Sequence, residues 1–118
     1  MRYLLLIYEN EANWGKMSEE EKGKIFQEYM TFGKDIRAKG NYVAGEALQP
    51  VATATTVRVK NGKTLTTDGP FAETKEQLGG FYLVEAKNLD EAIAIGSRIP
   101  SARSGSIEVR PIMPTPPV

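Results

Sequence analysis

This chain contains no histidine and no cysteine. The first absence removes the side chain that most often moves protons near neutral pH, and the two together remove the commonest ligands for zinc and copper. No thiol nucleophile, no disulfide and no histidine-activated serine triad is available. Ser97, Ser101, Ser104 and Ser106 are therefore not read as nucleophiles. Net charge is missing as well, since fifteen basic residues balance fifteen acidic ones. No global field draws in nucleic acid or an anionic membrane, and no basic stripe is interleaved with aromatics. The apolar opening Leu4-Leu5-Leu6-Ile7 is too short to span a bilayer, and an acid follows it in place of a small-residue cleavage site. These absences point to a cytoplasmic protein that binds neither nucleic acid nor membrane, with no recognisable cofactor or metal site.

The 118 residues make one domain spanning the whole chain. Arg2 to Tyr8 is apolar on both alternating sets, Tyr3/Leu5/Ile7 and Leu4/Leu6/Tyr8, as a central strand covered on both faces should be. Glu9 to Met17 reads as a polar loop carrying Trp14. Ser18 stands three residues before Glu21, a capping-box pattern that opens a long helix. Ile25, Tyr29, Phe32 and Ile36 set its inner stripe, Phe26 and Met30 widen it, and Gly40 stops it. Tyr42 to Ala47 is a short strand. Thr53 to Lys60 and Lys63 to Thr67 flank Asn61-Gly62, a strong hairpin signal, and that hairpin is expected at a sheet edge. Phe81 to Val84 reads as a second central strand. Asn88 with Glu91 caps a shorter helix whose inner face is expected at Leu89, Ala92, Ile93, Gly96 and Ile99. Ser106 to Arg110 is a last, one-sided strand. Residues 111–118 hold four prolines and form an extended tail.

The order strand, helix, strand, hairpin, strand, helix, strand predicts an α+β fold: a ferredoxin-like split βαβ arrangement with an antiparallel sheet and an inserted β-hairpin. Both helices of such a fold cover one sheet face. The opposite sides of the central strands remain apolar, and leaving each large residue wet forfeits about 1.5–3 kcal/mol. A homodimer with facing sheets is therefore expected. In the alternative, the hairpin and tail fold back over the chain's own sheet.

The site is placed at the run Thr67 to Tyr82, where turn formers, acids and a lysine lie between two strand-like segments. Gly69 permits a positive φ and Pro70 keeps its predecessor out of helical geometry, so Asp68-Gly69-Pro70-Phe71 forms a sharp corner. Glu46, Asp68, Phe71, Glu73 and Lys75 are the candidate ligand-binding residues. Two readings of Asp68 stand open, a general base and a turn former, and it is the candidate catalytic residue. Glu46 or Glu73 could serve as that base instead, with Lys75 clamping an anionic or enolic substrate. Against this, Glu73, Lys75 and Glu76 also read as a solvated face. Asp68, Glu73 and Glu76 miss the calcium-loop spacing, and Gly79-Gly80 reads as a bend entering a strand rather than a phosphate loop. Arg98 and Arg103 are either an anion site or a wet helix end. Trp14 and Tyr8 either line the pocket mouth or serve as ordinary packing.

Four segments carry a resemblance: Arg2 to Tyr8, Gly45 to Pro50, Asp68 to Gly80, and Ile107 to Pro111. Over nearly its whole length the chain resembles the YCII-related proteins of the DGPF subgroup. The resemblance implies a bacterial protein with a dimeric α+β barrel, in a group whose activity is largely unassigned. It also implies a genomic setting beside sigma factors of the extracytoplasmic-function type, which makes a sigma factor a further candidate partner. Enzymatic relatives in the wider superfamily are thought to pair a histidine with an aspartate, among them a dehydrochlorinase acting on a chlorinated hydroquinone. Asp68 matches the aspartate here, and the histidine has no counterpart. The leading expectation is a homodimer that binds a small, partly apolar or anionic molecule. The alternatives are a carboxylate-dependent lyase or isomerase and a regulatory interaction module.

Overall fold

A computed structural model describes residues 1–116. Strict alternation makes Arg2–Glu9 the first strand, β1, with Tyr3, Leu5 and Ile7 buried and Leu4, Leu6 and Tyr8 only half-buried. Asn10 then caps a short helix, α1 (Glu11–Gly15), inside the segment expected to be loop, because its side chain accepts the Ala12 N–H. The expected capping box opens α2 (Glu19–Ala38): the Glu21 N–H donates to Ser18 Oγ at 3.1 Å and the Ser18 N–H donates to Glu21 Oε1 at 3.3 Å. Past its end, Gly40 takes φ +78°.

The remaining elements are β2 (Tyr42–Ala47), β3 (Thr55–Lys60), β4 (Lys63–Asp68), β5 (Gln77–Glu85), α3 (Leu89–Ser97) and β6 (Ser106–Pro111). Short 3-10 turns at Val51–Thr53 and Pro100–Arg103 precede β3 and β6. The four strands β2-β5-β1-β6 form one sheet in that spatial order, with every neighbouring pair antiparallel. This is the ferredoxin-like topology, with β1 and β5 in the centre as expected. The core lies on one face only, where Tyr3, Leu5, Ile7 and Val84 meet Phe32 and Ile36 of α2, Ala92 and Ile95 of α3, and Ile99. Tyr82 adds an edge-on contact with Phe32, ring centroids 5.2 Å apart, and Arg37 lies over Tyr42.

Several details depart from the sequence reading. Phe26 and Met30 do not widen the inner stripe of α2; both are exposed, because the sheet contacts only the narrower arc through Phe32, Gly33 and Ile36. Likewise α3 is rotated from the expected face, so that Ala92, Ile95 and Gly96 point inward while Leu89 and Ile93 face water. Small residues at 92 and 96 let the helix approach β6, where a Cβ at Gly96 would sit 3.5 Å from Ile107. Gly79 and Gly80 lie within β5 rather than ahead of it. The register slips there, with Ile7 opposite Gly80 and Tyr8 opposite Leu78, so Gly79 is the extra residue of a β-bulge. Gly80 has its own requirement, since a Cβ would come within 2.8 Å of the Glu46 carbonyl oxygen.

The hairpin departs most. Asn61 and Gly62 take φ +51° and +75°, as a two-residue turn of this type demands. However, β3 and β4 pair only with each other, in a two-stranded sheet of their own, and do not extend the edge of the main sheet. Nor do they fold back over it, and they pack substantially on no other element. The tail begins by pairing, with the Ile112 N–H donating to Arg2 O at 2.9 Å, and Met113 beyond it is exposed. The expected extension of the tail through 117–118 lies outside the described residues. Among the described residues, no helix is long and apolar enough to cross a membrane.

Candidate functional site

Cross-strand partners in an antiparallel pair share a face, so the register identifies what lines the side of the sheet away from the helices. Leu4 pairs with Leu83 and Leu6 with Phe81; Ala44 stands beside Leu83 and Glu46 beside Phe81. On the other flank, Leu6 faces Glu108 and Tyr8 faces Ser106, and the Tyr8 hydroxyl donates to Glu108 Oε1 at 3.3 Å. Leu4, Leu6, Tyr8, Phe81 and Leu83 are half-buried, and none belongs to the core cluster. The result is an apolar floor with a carboxylate at each side.

One end of this floor carries the Asp68 corner. Here β2 ends, β5 begins, and the hairpin leaves the domain. Gly69, at φ +104°, donates its N–H to Ala54 O at 2.7 Å, and Thr56 Oγ1 donates to Gly69 O at 2.9 Å. The corner is thus held by backbone and by a threonine rather than by the Asp68 side chain. The helix missed by sequence reasoning, α1, braces the same end: the Glu11 N–H donates to Gln77 Oε1 at 2.9 Å and the Val51 N–H donates to Glu11 Oε2 at 3.0 Å. The Asn10 cap was the available signal for that helix. Glu11 itself is an ordinary loop acid until the fold brings residue 51 to it.

The five sequence-predicted residues occupy this end without enclosing anything in the single chain. Glu46 is exposed at the end of β2 beside Phe81, and Asp68 is exposed at the end of β4. Phe71 is 78% exposed, and the Arg58 guanidinium approaches its ring to 5.5 Å. Glu73 and Lys75 are exposed in the loop before β5. All three carboxylates, Glu46, Asp68 and Glu73, are open to solvent in the lone protomer. Glu76 instead accepts from the Ser106 hydroxyl at 2.7 Å, tying the loop to β6.

Two shallow depressions lie on the helix side, and none of the five residues lines them. The larger, about 340 Å³, is bordered by Glu28, Thr31, Phe32 and Arg98, and the smaller, about 140 Å³, by Glu9, Ile25, Ser101 and Ser104. Their charged groups are occupied: Arg98 pairs with Asp35, and Arg103 pairs with Glu28 at 2.5 Å. Those arginines hold the Asp35 and Glu28 carboxyls below the usual range. Beside the smaller depression, the Tyr29 hydroxyl and buried Ser101 share a hydrogen bond of 2.5 Å, and burial raises the Tyr29 pKa. Arg98 and Arg103 therefore work as helix-to-loop clamps. Trp14, at the side of α1, stands 5.4 Å from the Lys22 ammonium. No cluster of acidic residues fit to hold a metal occurs among the described residues.

The family model for the YCII-related domain matches residues 1–116. An uncharacterized protein of Rhizobium meliloti (strain 1021) is 37% identical over 114 residues, covering 95% of this chain and 92% of that protein.

Proposed function

The chain belongs to the YCII-related domain family, and from that premise we propose that it acts as a homodimer binding a small, partly apolar or anionic molecule beside the Asp68 corner. The observation that carries this reading is the open face itself. Leu4, Leu6, Phe81 and Leu83 form a continuous apolar floor that neither helix nor hairpin covers. A second copy of the same face is its natural cover, because a two-fold contact is self-complementary. Stacking two such sheets completes a dimeric α+β barrel. The Asp68-Gly69-Pro70-Phe71 corner further supports assignment to the DGPF subgroup.

The closed assembly would place Glu46 and the corner at the rim of a cleft whose floor is apolar and whose margin is charged. Lys75 is the cation at this end suited to an anionic group, and Phe71 is the aromatic suited to a ring. Asp68, at the exposed end of β4, is assigned to binding. Benzoate, which joins a ring to a carboxylate, is a suitable probe. In an NMR titration the shifts should concentrate at residues 46, 68–75 and 81, and Lys75→Ala should weaken them while Asp68→Asn leaves the melting temperature nearly unchanged. Shifts confined to the helix-side depressions would contradict the reading, as would none at all.

A further inference from the structure

The β3–β4 hairpin is built for a surface that its own chain does not provide. Two-stranded hairpins are marginal in water unless a face is covered, and this one exposes every position of β4 and nearly every position of β3. Its register puts Thr55, Val57 and Val59 on one face with Thr64, Thr66 and Asp68, while Arg58, Lys60, Lys63 and Leu65 lie on the other. The first face is β-branched and uncharged except at its base, with Val57 60% and Val59 67% exposed. At the tip Lys60 lies directly opposite Lys63, a like-charge pair that disfavours the hairpin on its own.

The protomer is extended, and the hairpin packs substantially on no other element. The radius of gyration is 16.5 Å, against about 13.5 Å for a compact chain of this length. The molecule is a plate of 48 × 46 × 19 Å. Its thin dimension leaves no room for a hairpin stacked on the open face of its own sheet, which with one helix layer already fills most of that depth.

Interface size argues in the same direction. Four strands about 4.8 Å apart and roughly seven residues long project to about 440 Å². A stable specific contact takes about 800 Å² from each partner. One face of the hairpin adds about 200 Å², and by two-fold symmetry each protomer both gives such a face and receives one, which closes the gap.

We propose that the β3–β4 hairpin is an exchanged arm: it lies across a second copy of this chain and supplies, in trans, a wall of that copy's cleft through Val57 and Val59. The arm rests on the proposed dimer and goes beyond it, because the cleft of each protomer is then incomplete without the other's hairpin. Arg58 and Lys60 travel with it. On the face turned away from the receiving copy, they keep the outer side of the arm charged, with Arg58 over Phe71 of its own chain.

Hydrogen–deuterium exchange separates the arm from the dimer. In the full-length dimer, amides of residues 55–68 should exchange at least about tenfold more slowly than in a Leu6→Lys protomer. The Val57→Lys/Val59→Lys variant, altered on a largely exposed face of the hairpin, should keep its fold and dimerise about 100-fold more weakly. To show exchange between chains, light and nitrogen-15-labelled protein would be unfolded together, refolded and treated with an amine cross-linker. Lys60 or Lys63 should then appear in mixed-isotope pairs. A dimer with unprotected hairpin amides overturns the arm and leaves the dimer standing, as do cross-links from the tip confined to same-isotope pairs. A wild-type chain that sediments as a lone protomer overturns both.

Discussion

Leu5 and Leu6 are neighbours in β1 that point to opposite faces, so replacing each in turn separates folding from assembly. Leu5 is 0% exposed beneath the helices, whereas Leu6 is half-buried on the open face beside Phe81. Leu5→Ala leaves a cavity among Phe32, Ile36 and Val84 and should cost about 2–5 kcal/mol of folding stability. Leu6→Lys alters a side chain already touching water, and in an isolated protomer it should cost within about 1 kcal/mol. At a closed sheet-on-sheet contact the same lysine appears twice. Each copy forfeits roughly 1 kcal/mol of remaining apolar burial and desolvates an unpaired cation at several kcal/mol more. Two copies together approach or exceed the roughly 8 kcal/mol that holds a micromolar dimer. Sedimentation velocity over a concentration series, paired with urea unfolding at the lowest concentration, reads both quantities. The expected result is a folded protomer for Leu6→Lys and a destabilised but still associating chain for Leu5→Ala. The reasoning is refuted if Leu6→Lys associates like wild type, or if it loses as much folding stability as Leu5→Ala.

Other outcomes follow from single contacts. Ser18→Ala removes one half of the capping box and should lower stability by about 1 kcal/mol, visible as a reduced urea midpoint with an unchanged slope. Gly80→Ala puts a Cβ 2.8 Å from the Glu46 carbonyl oxygen; because both atoms belong to paired strands, about 1–3 kcal/mol should be lost, and amides of β2 should exchange faster. Tyr82, pushed up to about 12 by burial, holds its proton in the folded chain at a pH where the unfolded chain has released it. Its contribution is therefore complete below pH 10, the ordinary tyrosine value, and declines as pH rises toward 12. Urea midpoints measured across that interval should fall, and Tyr82→Phe should fall less steeply.

Much of the fold was legible because local signals and the tertiary solution agree. The Ser18–Glu21 box, the Asn88 cap and the Asn61-Gly62 turn each satisfy backbone groups within a few residues, so their partners are known before folding. The two apolar sets of β1 likewise announced a strand with something to hide on both sides. Helix faces were read less well, since periodicity gives a stripe about as wide as its apolar residues, while the sheet decides how much of it is covered. Phe26, Met30, Leu89 and Ile93 fall outside that contact. Of the site, the sequence named the corner through Gly69 and Pro70. It did not reveal that Thr56 and Ala54 hold the corner or that Glu11 reaches residue 51, because those contacts join segments distant in the chain.

By itself the sequence determined the inventory: α+β order, a turn at each Gly or Asn that needed one, a chain without imidazole or thiol, and a surplus of apolar side chains. Only the tertiary structure decided where that surplus goes. Helix placement depends on long-range packing, which put both long helices on one side, left Leu4, Leu6, Phe81 and Leu83 on the other, and sent the hairpin off the end of the sheet instead of over it. Alternation along a strand states that two faces exist, and only the packed chain shows which one remains open.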